Sequence, residues 1–221
     1  MKARILPIIA LIFLLSSCSQ ATPAPPTATS RPETRGVIVA VGDSLTEGLG
    51  VEKSEAYPAL LEQKLRTNGY SYQVVNAGVS GETSSGALSR VNWVLNLKPD
   101  IVILETGGND GLRAIDPELT EANLNTIIDR FRDDGADVVL AGMQTIQNLG
   151  QEYTDAYREI YPTVAAEQGT ILIPFFLEGV AAEPDLNQED GIHPTAEGYE
   201  IIVETVYPYV VEAIEKREGQ R

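Results

Sequence analysis

Ser44 lies in a stretch whose residue types could support nucleophilic catalysis. The apolar run at residues 37–41 predicts a buried strand, and Gly42 then ends the run. Asp43 and Thr46, on either side of Ser44, indicate a sharp turn and the beginning of a helix. A serine in this position would lie at the carboxyl end of a strand, where open α/β sheets bind their ligands. The backbone N–H groups of the following helix would face any negative charge that develops there.

A serine hydroxyl is a weak nucleophile at neutral pH, and it needs a base within hydrogen-bonding distance and a group that orients the base. The sequence contains one histidine, so a serine hydrolase built from this chain must use His193 as its base. Asp190 lies three residues earlier, and a short turn would let its carboxylate bind one imidazole nitrogen while the other faces Ser44. Glu189 and Glu183 are rival carboxylates for this role.

Acyl transfer by Ser44 would also require hydrogen-bond donors for the oxyanion. The backbone N–H of Ser44 is one candidate, and Gly78 can present its own N–H because no side chain blocks the approach. The side-chain amide of Asn109 is a third candidate. Two alternatives are open, since Asn109 can be a turn residue and Ser44 a helix cap. Ser80, in a glycine-containing turn, is a rival nucleophile.

Other residues near these motifs are expected to have structural roles. We expect Asp43 to hold the turn before Ser44 through hydrogen bonds. Tyr157 and Tyr161 occur at helical spacing, which indicates packing in a helix rather than a ligand cage. Trp93 is likewise expected to be a packing residue.

The elements that must position these residues alternate along the chain. The predicted strands cover residues 37–41, 72–76, 101–104, 137–141 and 170–173. The predicted helices cover residues 56–67, 84–97, 152–167 and 195–214, and a further helix begins at Thr120 as its cap. This alternation is typical of βαβ units and predicts a five-stranded parallel sheet in an α/β fold. The segments after the first three strands would then meet at the carboxyl edge, where Ser44, Gly78 and Asn109 lie.

The sequence resembles the SGNH (GDSL) hydrolase family in four blocks that occur in the family's order. The blocks are Gly42–Leu45, Gly78, Gly108–Asp110 and Asp190–Pro194, and they extend over nearly the whole predicted domain. The longer stretches at residues 42–50 and 76–83 resemble the arylesterase and acyl-CoA thioesterase/lysophospholipase branch of the family.

This resemblance implies the same roles that the residue types suggest. It implies a triad of Ser44, His193 and Asp190. It implies oxyanion donors on Gly78 and Asn109, beside the N–H of Ser44. It also implies a flavodoxin-like fold with three α/β/α layers.

Composition excludes several other classes of function. The chain has 32 acidic and 16 basic residues, and a net charge of -16 argues against nucleic-acid binding. One histidine and one cysteine cannot supply a zinc ligand cluster, so we expect no metal. The sequence shows neither a phosphate-binding glycine loop nor a calcium loop, and we expect no cofactor.

The first 35 residues indicate export and anchoring. Residues 1–17 begin with basic residues, continue with an apolar run and end with small residues before Cys18, which resembles the lipobox of bacterial lipoproteins. The apolar run at 5–15 would span only about 16 Å as a helix, too short for a transmembrane segment. The resemblance implies cleavage before Cys18 and its lipidation. The alternative is an ordinary signal peptide that happens to contain a cysteine.

A lipidated Cys18 would bind the protein to a membrane surface without spanning it. Residues 18–35, which are rich in Pro, Thr and Ser, would form a flexible tether, followed by the hydrolase domain at 36–217 and a short tail at 218–221. We therefore expect an extracytoplasmic lipoprotein of the cell envelope, on the periplasmic or outer face of a bacterial membrane.

Two apolar segments are candidates for the acyl pocket. Leu112 closely follows Asn109, and Phe175, Phe176 and Leu177 follow the fifth predicted strand, although plain loop packing is an alternative for them. We expect a serine esterase that hydrolyses short-to-medium-chain carboxylic esters or thioesters. Lysophospholipase and carbohydrate O-deacetylase activities at the cell envelope are alternatives within this class, and a non-catalytic surface lipoprotein is the alternative outside it.

Overall fold

The five apolar runs of the sequence form the strands of one parallel sheet. The structure, a computed structural model, describes residues 34–145 and 149–220. The strands are β1 Gly36–Gly42, β2 Tyr72–Gly78, β3 Ile101–Glu105, β4 Asp137–Ala141 and β5 Ile171–Ile173. Their order in the sheet is β2-β1-β3-β4-β5, as in flavodoxin-like folds. The predicted signal peptide, Cys18 and all but the last two residues of the predicted tether lie outside the described residues.

Helices form the layers on either side of the sheet. They are α1 Ser44–Glu47, α2 Tyr57–Thr67, α3 Ser84–Ser89, α4 Val91–Leu95, α5 Gly108–Leu112, α6 Pro117–Asp133, α7 Gln151–Gln168 and α8 Ala196–Glu218, with a 3₁₀ helix at Pro184–Leu186. Helix α2 packs against α8, whereas α6 packs against α3, α4 and α7. The predicted α/β/α architecture is confirmed. Within the described residues, no helix is both long enough and apolar enough to cross a membrane.

The register of the central strands brings their loops together. All residues of β3 are buried, which suits the continuous apolar run of a strand covered on both faces. In the pairing of β1 with its neighbours, Gly42 lies opposite Gly78 and Val41 lies opposite Leu104. The three strands therefore end at nearly the same level, and the segments after them share the carboxyl edge of the sheet.

The predicted beginning of one helix is wrong. Helix α6 begins at Pro117 instead of at Thr120, because Asp116 caps it by accepting a hydrogen bond from the Glu118 N–H at 3.0 Å. Proline at the first helical position is favourable, since its φ is already helical and its missing N–H would have had no partner in the helix. Thr120 is buried, and its hydroxyl donates to Asp110 Oδ1 at 3.2 Å.

The predicted helix at 84–97 is broken into α3 and α4 at Arg90. The Arg90 guanidinium donates to the Glu82 carboxylate at 2.6–2.9 Å and to the Gly42 carbonyl oxygen at 3.3 Å, which draws this residue toward the end of β1. The packing role expected for Trp93 is also wrong, because 52% of this residue is exposed. Tyr157 and Tyr161 are buried, as predicted.

Candidate active site

The turn that carries Ser44 connects β1 directly to α1. Asp43 caps the helix, since its Oδ1 accepts the Leu45 N–H at 3.0 Å, and the expected structural role of Asp43 is confirmed. A side chain at Gly42 would overlap the Thr46 hydroxyl and the Glu105 carboxyl oxygen, so the turn requires glycine there. Ser44 therefore sits on a tightly packed turn at the edge of the sheet.

The imidazole of His193 joins Ser44 to Asp190. His193 Nε2 lies 2.8 Å from Ser44 Oγ, and His193 Nδ1 lies 2.6 Å from Asp190 Oδ2. The other oxygen of Asp190 accepts the backbone N–H groups of Ile192 at 2.9 Å and His193 at 3.0 Å. The backbone and side-chain hydrogen bonds from His193 lower the pKa of Asp190 to about 2. The sequence-predicted serine, histidine and aspartate thus lie in one hydrogen-bonded row, with neither Glu183 nor Glu189 as the orienting carboxylate.

The loop that carries His193 is tied to the segment after α1. Gln188 donates through Nε2 to the Leu49 carbonyl oxygen at 2.7 Å and to the Pro194 carbonyl oxygen at 2.9 Å. The Gln188 N–H also donates to the carbonyl oxygen of His193 at 2.7 Å. Thr195 then caps α8 by accepting the Gly198 N–H at 3.2 Å. These contacts fix the imidazole relative to the serine even though 149 residues separate the two in sequence.

The side-chain amide of Asn109 is oriented by two neighbours. Its Nδ2 donates to Asp43 Oδ2 at 2.9 Å, and its Oδ1 accepts from the Arg113 guanidinium at 3.4 Å. Because an amide nitrogen has two hydrogens, the second N–H is left for another acceptor. Burial raises the pKa of Asp43, although the hydrogen bonds from the Leu45 N–H and the Asn109 amide act in the opposite direction.

The prediction of Gly78 as an oxyanion donor is wrong. Its N–H donates to Asn76 Oδ1 at 2.9 Å, and a side chain at Gly78 would overlap the backbone of Glu47. Gly78 therefore serves the close packing of β2 against α1, and it lines a different cavity from the one at Ser44. Gly81, in the turn that follows β2, lines the cleft at Ser44 and has a φ of +75°, which favours glycine. Gly81 was missed because the contact between the Gly78 N–H and Asn76 has no signal in the sequence.

Ser80 also lines this cleft, but it is bonded to a carboxylate instead of an imidazole. Its hydroxyl donates to Glu47 Oε2, and its backbone N–H donates to the same oxygen at 2.9 Å. The one histidine of the sequence contacts Ser44. The geometry therefore favours Ser44 over Ser80 as the nucleophile.

The cleft in front of Ser44 has a volume of about 670 Å³ and a largely apolar wall. Leu112, Phe175 and Leu177 line it, as predicted. The prediction for Phe176 is wrong, because Phe176 is fully buried and packs edge to face on Tyr57 with 5.2 Å between ring centroids. In the turn that follows β5, Phe175 and Leu177 face the cleft, whereas Phe176 enters the core.

Further apolar residues at the cleft were not predicted from the sequence. Leu49 and Ile192 line the cleft and are 43% and 44% exposed, and Leu112 is 43% exposed. Met143 contributes a buried apolar side chain to the wall. Across residues 34–145 and 149–220, no cluster of three or more His, Cys, Asp or Glu residues is arranged to hold a metal ion.

Known proteins share both this sequence pattern and this fold. The model of the GDSL-like Lipase/Acylhydrolase family matches residues 40–201. Esterase TesA of Pseudomonas aeruginosa is 42% identical over 172 residues, which are 77% of this chain and 86% of that protein. Thioesterase 1/protease 1/lysophospholipase L1 of Escherichia coli K12 is 37% identical over 177 residues, which are 80% of this chain and 84% of that protein.

A solved structure gives the same result for the fold. The crystal structure of TesA superposes with a TM-score of 0.77 and 41% identity, covering 80% of this chain and 99% of that one. The matched region contains Ser44, Asn109, Asp190 and His193. The chain therefore belongs to the GDSL-like lipase/acylhydrolase family, the SGNH hydrolases, and it is an enzyme of the esterase type.

Proposed function

We propose that the protein is a serine esterase in which Ser44 forms an acyl-enzyme intermediate. The observation that carries the proposal is the unbroken row of contacts from Ser44 Oγ through the imidazole to Asp190, at 2.8 and 2.6 Å. Asp190 is anionic at neutral pH, so it favours the tautomer that carries its proton on His193 Nδ1. Nε2 is then free to accept the proton of the Ser44 hydroxyl.

The reaction proceeds in two acyl-transfer steps. Ser44 Oγ attacks the carbonyl carbon of the substrate while its proton passes to His193 Nε2, and Asp190 stabilises the resulting imidazolium. The imidazolium returns the proton to the leaving oxygen or sulfur as the bond to the acyl carbon breaks. Water then attacks the acyl-enzyme while His193 Nε2 takes its proton, and the imidazolium returns that proton to Ser44 Oγ as the bond to the acyl carbon breaks and the acid leaves.

The oxyanion is stabilised by donors from three neighbouring segments. The backbone N–H of Ser44 lies in the first turn of α1, where N–H groups have no partner within the helix. The second N–H of the Asn109 amide supplies a donor from the segment after β3. Gly81 replaces Gly78 as the candidate from the segment after β2, because it lines the cleft and carries no side chain. Such donors act on charge that develops in the transition state.

The preferred substrates are short-to-medium-chain carboxylic esters or thioesters. The apolar wall formed by Leu112, Phe175 and Leu177 supports the binding of an acyl chain. Lysophospholipase activity is the second candidate, favoured by the name of the 37% identical relative and by the exposed apolar residues Leu49 and Ile192 at the cleft.

A substrate panel with the Ser44→Ala variant tests this proposal. Nitrophenyl esters of increasing chain length, an acyl-CoA, a lysophospholipid and an acetylated polysaccharide are compared for the wild type, Ser44→Ala and the surface control Ser89→Ala. We expect Ser44→Ala to lose at least about 10³-fold in kcat/KM on every substrate that is turned over, with Ser89→Ala unchanged. Equal turnover by Ser44→Ala and the wild type would reject the mechanism. Hydrolysis of the polysaccharide alone would reassign the substrate to carbohydrate, and no turnover at all would favour a non-catalytic lipoprotein.

We further propose that the protein is anchored at the cell envelope through a lipid on Cys18. The proposal is supported by the small residues that precede Cys18 and by the Pro/Thr/Ser-rich segment that follows it. The full chain and Cys18→Ser are expressed in a bacterium, and the membrane and soluble fractions are separated. We expect the wild type in the membrane fraction with a mass increased by acylation, and Cys18→Ser in the soluble fraction. Equal partition of both proteins would contradict the anchor.

A further inference from the structure

The carboxyl group of Glu105 is buried directly behind the turn that carries Ser44. Glu105 is the last residue of β3 and is 0% exposed. Its Oε2 accepts the backbone N–H of Asp43 at 3.2 Å and the hydroxyl of Thr46 at 2.8 Å. Its Oε1 is buried without a hydrogen-bond partner among the described residues. The proposed acyl-transfer mechanism leaves this buried acid without a role.

The two donors on Oε2 bracket the nucleophile. Asp43 immediately precedes Ser44, and Thr46 lies two residues after it, so one oxygen atom holds both sides of the turn. The absence of a side chain at Gly42 makes this approach possible, since a Cβ there would overlap that same oxygen. Because β3 is buried along its whole length between two neighbouring strands, the carboxyl group is held by a rigid part of the fold.

We propose that Glu105 is a positioning residue for the reaction, whose carboxyl oxygen fixes the Asp43–Thr46 turn and thereby holds the Ser44 hydroxyl in line with His193. This inference rests on the proposed function, because it concerns the placement of the serine nucleophile. A displacement of the turn by about 1 Å would weaken the alignment of Ser44 with both the base and the carbonyl carbon. In this role Glu105 acts only as a hydrogen-bond acceptor, and it transfers no proton to the substrate.

The surroundings of Glu105 favour its neutral, protonated form. It is faced by the carboxylates of Asp43 and Glu82 and by the hydroxyls of Tyr57, Thr46 and Tyr199, and among the described residues no cation forms an ion pair with it. Burial and the nearby Asp43 carboxylate raise the pKa of Glu105 well above its usual range. A neutral Glu105 can hold the turn without placing a negative charge close to the oxyanion. An ionised Glu105 would repel the negative charge of the oxyanion.

The experiment compares Glu105→Gln with Glu105→Met on a soluble nitrophenyl ester. Glutamine is neutral and keeps an acceptor oxygen, so we expect kcat within about threefold of the wild type and an unchanged acid limb of the pH profile. Methionine has a similar volume but no acceptor for Asp43 and Thr46, so we expect kcat to fall by about 10- to 100-fold. KM should change less than about twofold in both variants, because the acyl pocket is untouched.

The Thr46 side of the contact provides a variant that leaves Glu105 in place. Thr46→Val removes the hydroxyl donor, and we expect a smaller loss of kcat than in Glu105→Met. Thr46→Ser keeps a hydroxyl, so we expect it to retain the kcat of the wild type. These two variants decide the question if Glu105→Met does not fold. Retained kcat in Glu105→Met with a lowered melting temperature would overturn the inference, and so would a loss in Glu105→Gln as large as in Glu105→Met. Wild-type turnover by Ser44→Ala would instead reject the proposed function itself.

Discussion

At the scale of single residues, the two nitrogens of His193 have different neighbours. Nδ1 faces a carboxylate that three hydrogen bonds with His193 and Ile192 hold in the anionic form, and Nε2 faces the Ser44 hydroxyl. The anion and the turn that holds it set both the tautomer and the direction of the ring. The acid–base chemistry of the site therefore depends on whether Nε2 is free to accept a proton.

The first prediction concerns the pH dependence of kcat/KM. A protonated imidazole cannot accept the Ser44 proton, so we expect kcat/KM to fall as the pH is lowered. Asp190 stays ionised down to about pH 2, so it adds no second limb in the range where the protein is assayed. The measurement is a kcat/KM profile on a nitrophenyl ester between pH 5 and 9. A profile that stays flat down to about pH 5 would contradict His193 as the base.

Most side chains of the proposed triad could be predicted because their residue types are rare or adjacent in sequence. His193 is the one imidazole of the chain, and Asp190 lies within a single turn of it. Gly78 was predicted instead of Gly81, because the contact with Asn76 that occupies the Gly78 N–H is invisible in the sequence. The hydrogen bonds of Arg113 to Gly81 and Asn109 were missed, because no local sequence pattern shows which acceptors a surface arginine contacts.

At the scale of elements, the site is assembled where α1, α5 and the loop after β2 meet. Ser44 begins α1, which follows the strand between β2 and β3. Arg113, at the end of α5, donates to the Asn109 side chain and, at 2.9 Å, to the carbonyl oxygen of Gly81. One guanidinium thus links the segments that flank Ser44 on either side.

Removal of this link should lower kcat without abolishing it. Arg113→Met loses both hydrogen bonds, and we expect kcat to fall about 3- to 10-fold because the two oxyanion segments lose their common tie. Steady-state kinetics on a short ester measures the effect. Arg130→Met, which removes a contact with Asn92 on the helix surface, is the control and should retain wild-type kcat. Equal kcat for both variants would show that Arg113 does not position the site.

The acyl pocket gives a paired prediction for neighbouring phenylalanines. Phe175→Ala enlarges the cleft, and it should shift the preferred acyl chain length while leaving the melting temperature nearly unchanged. Phe176→Ala opens a cavity beside Tyr57, and it should destabilise the fold by about 3–5 kcal/mol without changing the chain-length preference. A panel of nitrophenyl esters and thermal unfolding of both variants test this. A change of chain-length preference in Phe176→Ala but not in Phe175→Ala would contradict the placement of Phe175 at the cleft and Phe176 in the core.

Periodicity predicted the strands better than the ends of the helices. The fourth strand has the predicted bounds, 137–141, because its apolar run is bordered by polar or glycine residues. The beginning of α6 was misjudged because Thr120 resembles a cap, whereas Asp116 followed by proline is the stronger signal. The break at Arg90 depends on Glu82 and on the Gly42 carbonyl oxygen, which are tertiary contacts without a local pattern.

At the scale of the whole molecule, the two ends of the parallel strands have different roles. The site lies at the carboxyl ends of the strands, whereas ion pairs connect the last helix to the amino ends. Arg217, near the end of α8, donates to Asp100 Oδ1 at 3.0 Å, to Asp137 Oδ2 at 2.9 Å and to the Gly135 carbonyl oxygen at 3.0 Å. Asp100 directly precedes β3, and Asp137 is the first residue of β4. This network therefore connects the last helix to the centre of the sheet.

Loss of this network should affect stability and not activity. Arg217→Met removes the ion pairs of Arg217 with Asp100 and Asp137, and we expect the melting temperature to fall by about 2–6 °C with kcat/KM unchanged. Arg158→Met, whose partner Asp155 is exposed on α7, is the matched control and should shift the melting temperature by less than about 1 °C. Equal shifts for the two variants would show that the network contributes no more than a surface ion pair.

The proposed mechanism requires Ser44 to form a covalent bond with the help of His193. The test is peptide mapping by mass spectrometry after reaction with a fluorophosphonate, in which the Ser44 Oγ–P bond forms and fluoride leaves. We predict a single adduct on the peptide that contains Ser44, formed at least about 10³-fold more slowly in His193→Ala. An adduct on Ser80, or labelling of Ser44 at the same rate in His193→Ala, would contradict the central claim.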